Sequence, residues 1–127
     1  MTEETKKKIL ILDDDKFLLN MYATKFIAAS TEVDTAETGE ELLKKLRDGA
    51  TPDLILLDII VPGMSGLEVL ELIRKENLIP KTKIIMLTNE SSPDEIKKAQ
   101  ELIIDGYIVK AMATPSEVVE QSLKTIG

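Results

Sequence analysis

Short apolar runs and longer amphipathic stretches alternate along this chain. The runs Lys8-Ile9-Leu10-Ile11-Leu12, Leu54-Ile55-Leu56-Leu57, Ile84-Ile85-Met86-Leu87 and Tyr107-Ile108-Val109 have the length and polar boundaries of strands. Strands that alternate with helical patterns signify a parallel α/β sheet. Leu54 to Leu57 is apolar without a break, as a strand covered on both faces should be. Helix starts are legible as capping-box spacings at Thr38-Gly39-Glu40-Glu41, Ser65-Gly66-Leu67-Glu68, Ser92-Pro93-Asp94-Glu95 and Thr114-Pro115-Ser116-Glu117, two of them with proline at the first helical position. The first helix is expected to begin near Asp15 and to bury Leu18 or Leu19, Tyr22 and Phe26. The pattern predicts five strands and five helices in a single domain over residues 1–127, with residues 1–7 a polar tail. It shows no internal repeat.

Each apolar run ends in a polar residue, and those residues carry the chemistry. They are Asp13 and Asp14, Asp58, Thr88 and Lys110. If the runs are neighbouring parallel strands, all five side chains meet at one edge of the sheet, the edge where open α/β sheets bind ligands. Three converging carboxylates repel by about 4 kcal/mol per pair at ~4 Å and an effective dielectric near 20, so a cation belongs among them. Magnesium suits hard oxygen ligands, and the chain has no histidine or cysteine to favour a softer metal. Lys110 supplies a fixed positive charge and Thr88 a hydroxyl donor. The pocket can therefore neutralise a phosphoryl group from several sides, with Asp58 as nucleophile.

In order and spacing these residues resemble the receiver domain of two-component response regulators. The resemblance is carried by Ile11-Leu12-Asp13-Asp14, by Leu57-Asp58 through Val61-Pro62-Gly63-Met64-Ser65-Gly66, by Met86-Leu87-Thr88 and by Gly106-Tyr107-Ile108-Val109-Lys110. It runs from about Lys7 to the C-terminus and implies a doubly wound, flavodoxin-like (βα)5 fold with strand order 2-1-3-4-5. It further implies that Asp58 accepts a phosphoryl group from a histidine kinase or a histidine phosphotransfer protein. Asp14 would bind Mg2+ directly and Asp13 through water, with Asp58 and the carbonyl of Ile60 as further ligands. Thr88 would bond the aspartyl phosphate, Lys110 would pair with another of its oxygens, and Tyr107 would be the switch residue coupled to Thr88. The implied output surface is the face formed by helix 4, strand 5 and helix 5, with an unnamed output protein or a second copy of the chain as partner.

Three departures from the family pattern stand out. Ala111 follows Lys110 where proline is usual, often through a cis peptide; a non-prolyl cis bond costs about 3–4 kcal/mol, so the loop is either trans and different or strained. Leu102-Ile103-Ile104 replaces the small residues, often Ala-Gly-Ala, that usually precede the Asp-Gly before the fifth strand. Not all three can face the core on one helical stripe, which predicts an apolar addition to the helix 4, strand 5, helix 5 face carried by accessible Leu102 and Ile104. Near the acceptor, Ile60 cannot orient a water whereas Glu90 can, and Asn89 is bulkier than usual, an expectation of slow autodephosphorylation.

Charge and composition narrow the classes. A net charge of -7 argues against direct nucleic-acid binding. No disulfide or thiol chemistry is available, no apolar stretch approaches the ~20 residues of a membrane span, and the N-terminus lacks a signal-peptide core; a cytoplasmic protein without membrane contact is expected. Without histidine the chain cannot be its own histidine phosphodonor, and ending soon after the fifth helix it is expected to act by protein contact. It is read as a regulator and not an enzyme. The alternatives are a phosphorylation-independent scaffold and an aspartyl phosphatase of the haloacid dehalogenase type, since Asp13-Asp14-Asp15 contains Asp-x-Asp. Taken singly, Asp15 is a helix cap, Thr88 and Lys110 are ordinary surface types, and Tyr107 is a packing residue.

Overall fold

A computed structural model describes residues 6–89 and 93–127. Five strands, β1 (Lys8–Leu12), β2 (Glu32–Ala36), β3 (Leu54–Asp58), β4 (Lys83–Thr88) and β5 (Gly106–Val109), form one parallel sheet in the order β2-β1-β3-β4-β5. Between and after them run α1 (Lys16–Ala28), α2 (Gly39–Arg47), α3 (Gly66–Lys75), α4 (Pro93–Glu101) and α5 (Pro115–Ile126). The expected fold class and strand order are those observed.

Strand alternation sorts the core into two layers. Leu10, Leu12, Ile55, Leu57, Ile84 and Met86 face α2 and α3, with Leu42, Leu43, Leu46, Val69, Leu70 and Ile73 against them. On the other face, Ile9, Ile11, Leu54, Leu56, Ile85, Leu87 and Ile108 meet Leu19, Tyr22 and Phe26 of α1 and Val118 and Val119 of α5. Both faces of β3 are buried, which explains its unbroken apolar run.

Capping side chains fix where the helices begin. Asp15 caps α1, its carboxylate accepting from the amides of Phe17 and Leu18. Thr38 accepts from Glu41 and Ser65 from Glu68, while Thr114 forms a full capping box with Glu117. Ser92 and Glu90 lie outside the described residues. In α1, Leu19, Tyr22 and Phe26 are buried as a stripe at i, i+3 and i+7, and Leu18 is half-buried.

Around β5 one open alternative is decided and one expectation needs correction. No cis peptide occurs among the described residues, so Lys110-Ala111 is trans, and the chain enters a 3-10 turn at Lys110–Met112. With no proline ring to accommodate, the chain turns without the costly isomer. The segment Leu102-Ile103-Ile104 is not helical, because α4 ends at Glu101. Leu102 and Ile104 are half-buried against the α2–α3 core layer, and Ile103 is the exposed one. Freed from a helical period, the chain turns two apolar side chains inward and one outward. The outward one sits beside Pro80, Lys81 and Lys83 at the N-terminal edge of β4.

Candidate functional site

Parallel register brings the strand ends level. Leu12 pairs with Leu57, Asp58 with Leu87 and Thr88 with Val109, so the residues that terminate or follow β1, β3, β4 and β5 share one edge. Asp13, Asp58 and Thr88 are buried there, Asp14 is exposed, and the Lys110 side chain is nearly buried.

Lys110 Nζ donates to Asp13 Oδ2 at 2.7 Å and to Asp58 Oδ2 at 2.8 Å. The remaining carboxylate oxygens take backbone amides: Asp15 N donates to Asp13 Oδ1 at 2.9 Å and Ile60 N to Asp58 Oδ1 at 3.1 Å. Both acids are thus oriented from two sides, by the chain just beyond them and by one shared ammonium. Carboxylate oxygens of Asp13, Asp14 and Asp58 lie within 4.8 Å of one another.

Desolvation and charge compete at this edge. Burial holds the Asp58 carboxyl up at about 6, against the opposing pull of Lys110 and with a further push from Asp13. Burial favours a neutral Lys110, but its hydrogen bonds to Asp13 and Asp58 outweigh that and raise its pKa, so the ammonium stays charged. Three carboxylates against one ammonium leave two negative charges when all are ionised. Hard oxygens, that surplus and the close spacing fit a divalent cation of the magnesium type.

The other expected positions fall around this centre. Thr88 ends β4 on the strand next to Asp58. Ile60 presents its amide to Asp58 and its side chain to solvent, 61% exposed. Tyr107 pairs with Met86, is half-buried and packs against the α2–α3 core layer, and burial raises its hydroxyl pKa with a contribution from Glu95.

Two residues escaped the sequence reading of the site. Tyr22, taken only as core, lies close enough to feel Lys110, Asp13, Asp58 and Asp15, and burial raises its pKa first of all. It stands three residues after Leu19 and four before Phe26 on the buried stripe, a placement that carries no distinctive signal. Gly66, which belongs both to a capping-box spacing and to the stretch that carries the family resemblance, is the first residue of α3 and presses on the backbone of Asp58. A Cβ there would stand 2.1 Å from the Asp58 carbonyl oxygen, and its amide donates to Ile59 O at 2.8 Å. The signal available was the glycine itself, at a helix start where any good helix former would serve.

Comparison with known proteins gives consistent matches. The response regulator receiver domain model matches residues 9–121. The transcriptional regulatory protein ResD of Bacillus subtilis (strain 168) is 38% identical over 122 residues, covering 94% of this chain and 48% of ResD. The alkaline phosphatase synthesis transcriptional regulatory protein PhoP of the same organism is 35% identical over 112 residues, 88% of this chain and 45% of PhoP. The chain spans about half the length of the curated relatives it matches. Among solved structures, a CheY-like receiver domain protein from Methanospirillum hungatei JF-1 superposes with a TM-score of 0.87 at 31% identity, covering 96% of this chain and 94% of that one. Chemotaxis protein CheY4 of Vibrio cholerae gives 0.86 at 29% identity, covering 97% and 100%. With this match along nearly its whole length, on the fold and strand order just described, the chain belongs to the response regulator receiver domains.

Proposed function

We propose that the chain is a phosphorylation-dependent switch in which Asp58 accepts a phosphoryl group from a phosphohistidine of a histidine kinase or histidine phosphotransfer protein. The observation that carries this reading is the shared ammonium: Lys110 holds Asp13 and Asp58 together at 2.7 and 2.8 Å. A carboxylate oxygen of Asp58 attacks phosphorus, the phosphorus–nitrogen bond breaks, and its electron pair leaves with the imidazole, which takes up a proton. Asp58 becomes an acyl phosphate.

Lys110 exchanges its Asp58 contact for a phosphoryl oxygen, so the charge that orients the acceptor stabilises the product. Thr88, one strand over, bonds a second phosphoryl oxygen, and Tyr107 on β5 follows Thr88 and carries the change to the α4, β5, α5 face. Asp13, Asp14, Asp58 and the Ile60 carbonyl would hold Mg2+, which when bound offsets the negative charge of the transferring group. The reading assigns the chain no turnover of its own beyond assisting its phosphorylation and dephosphorylation. It takes residues 1–127 as one receiver unit that acts in the cytoplasm, by contact with an output protein or a second copy.

Intact mass after incubation with acetyl phosphate and Mg2+ tests this. One phosphoryl group is expected on the native chain, none without Mg2+, and none on Asp58→Ala. No adduct, together with no binding of beryllium fluoride and Mg2+, replaces the switch with a phosphorylation-independent scaffold.

A further inference from the structure

Two isoleucines of this chain adopt the left-handed backbone conformation, Ile79 at φ 41 and Ile103 at φ 63. L residues enter that region at an energetic cost, which is greatest for β-branched side chains. Ile79 is half-buried and packs against the α2–α3 core layer, so burial offsets its strain. Ile103 has no such compensation: it is 72% exposed and belongs to neither core layer. A glycine would make the same turn out of α4 without strain and without an exposed apolar side chain.

The turn that presents Ile103 is held from the neighbouring helix. Arg74 of α3 donates from Nε to Leu102 O at 2.9 Å and from Nη2 to Ile103 O at 2.6 Å. Ile103 is therefore displayed on a fixed loop and loses little freedom when covered.

Beside it lies a shallow concavity of about 450 Å³, walled by Arg74, Pro80, Lys81, Lys83, Ile103 and Asp105. Three cations stand against one carboxylate. Lys83 approaches Asp105 at 3.7 Å, and Lys81 is exposed and makes no ion pair among the described residues. A positive surface on a chain of net charge -7 is a local reversal, and it borders the one exposed apolar side chain that stands on a left-handed backbone among the described residues. Lys83 opens β4, whereas Asp58 and Thr88 close β3 and β4, so this surface occupies the sheet edge opposite the acid site.

We propose that this concavity docks an acidic segment of a partner protein that carries an apolar side chain. Ile103 makes the apolar contact, and Lys81 and Lys83 make the charge contacts. Nucleic acid fits poorly, since the whole chain repels a polyanion and Ile103 offers a phosphate nothing. Because the two edges are separate, occupation here leaves Asp58 accessible.

The test is a titration of the 15N-labelled full chain with a synthetic peptide of glutamates and aspartates around a central leucine, beside a control peptide with lysines in their place. Saturable shifts are expected at the amides of Lys81, Lys83, Ile103 and Asp105, weakened by salt and absent with the lysine peptide. Ile103→Gly and Lys81→Glu should each weaken binding about tenfold. Ile103→Gly should at the same time raise the urea midpoint, a gain in stability joined to a loss of binding that a purely structural residue does not give. Asp58→Ala should bind as the native chain does. No shifts at millimolar peptide, shifts centred elsewhere, or native affinity in Ile103→Gly would overturn the proposal. Concentration-dependent shifts at the same amides without peptide would overturn it too, by making a second copy the occupant.

Discussion

The two edges of the sheet use the same side chain in opposite ways. At the N-terminal edge, Asp53 and Asp105 each precede a strand, and each accepts a hydrogen bond from the first or second amide of a neighbouring strand. Lys8 N donates to Asp53 Oδ2 and Ile84 N to Asp105 Oδ2, both at 2.8 Å. The backbone amides of Asp53 and Asp105 return the contact to the carbonyls of Lys8 and Ile84, so each pair is closed on itself. At the C-terminal edge, Asp13 and Asp58 also take an amide each, but their second oxygens converge on one ammonium. The acids at one edge satisfy strand donors that would otherwise lack partners. Those at the other are buried near one another and near a third carboxylate, an arrangement that stability alone does not favour. The proposed reactivity is concentrated where the fold bears an electrostatic cost.

Removing the ammonium should produce the largest effect. Lys110→Met leaves Asp13 and Asp58 facing each other without a counter-charge, and breaking a buried ion pair costs about 3–5 kcal/mol. Urea denaturation in chelator at pH 8 should show a loss of that order, and added Mg2+ should stabilise the variant more than the native chain. A loss under about 1 kcal/mol would mean that the acids are already neutral or hydrated.

Removing an acid from the same edge should do the reverse. Burial pushes Asp58 up to about 6 in the folded chain from its ordinary value of 3.8. A carboxyl raised on folding contributes its full stability below the unfolded value and loses it as pH rises through the folded one. In the absence of metal the native chain should therefore weaken between about pH 4 and pH 7. Asp58→Asn removes this dependence and should be more stable than native by about 1–3 kcal/mol at pH 7.5, the difference closing near pH 4. Parallel pH–stability curves for the two chains would show that Asp58 is not the titrating group.

The smallest effect belongs to the opposite edge. Asp105→Ala deletes the acceptor for Ile84 N and should cost about 1 kcal/mol, the scale of one net hydrogen bond. Phosphoryl uptake from acetyl phosphate, read by intact mass, should be unchanged. Reduced uptake would couple the two edges and dissolve the distinction between them.

The same contrast governs what could be read in advance. Asp13, Asp58, Thr88 and Lys110 were legible because each adjoins a strand, so a linear pattern of apolar runs already points to a common edge. Caps at Asp15, Thr38, Ser65 and Thr114 were legible because capping is local. The clasping roles of Asp53 and Asp105 were missed, although each stands directly before a strand, since their partners are 45 and 21 residues away. The Leu102-Ile103-Ile104 segment departs from the expected helical stripe because helix ends are decided by contacts such as those of Arg74, which no local pattern encodes. Strand order came from the family resemblance, not from the apolar pattern.

The closeness of Gly66 to Asp58 also has a genetic consequence. Every missense change reachable by one base from a glycine codon introduces a side chain with a Cβ, and the Cβ at this position has no room beside the Asp58 carbonyl. A saturating mutational scan scored on signalling should find the column for Gly66 nearly as empty as that for Asp58. The proposed acceptor is guarded by a codon that does not encode it.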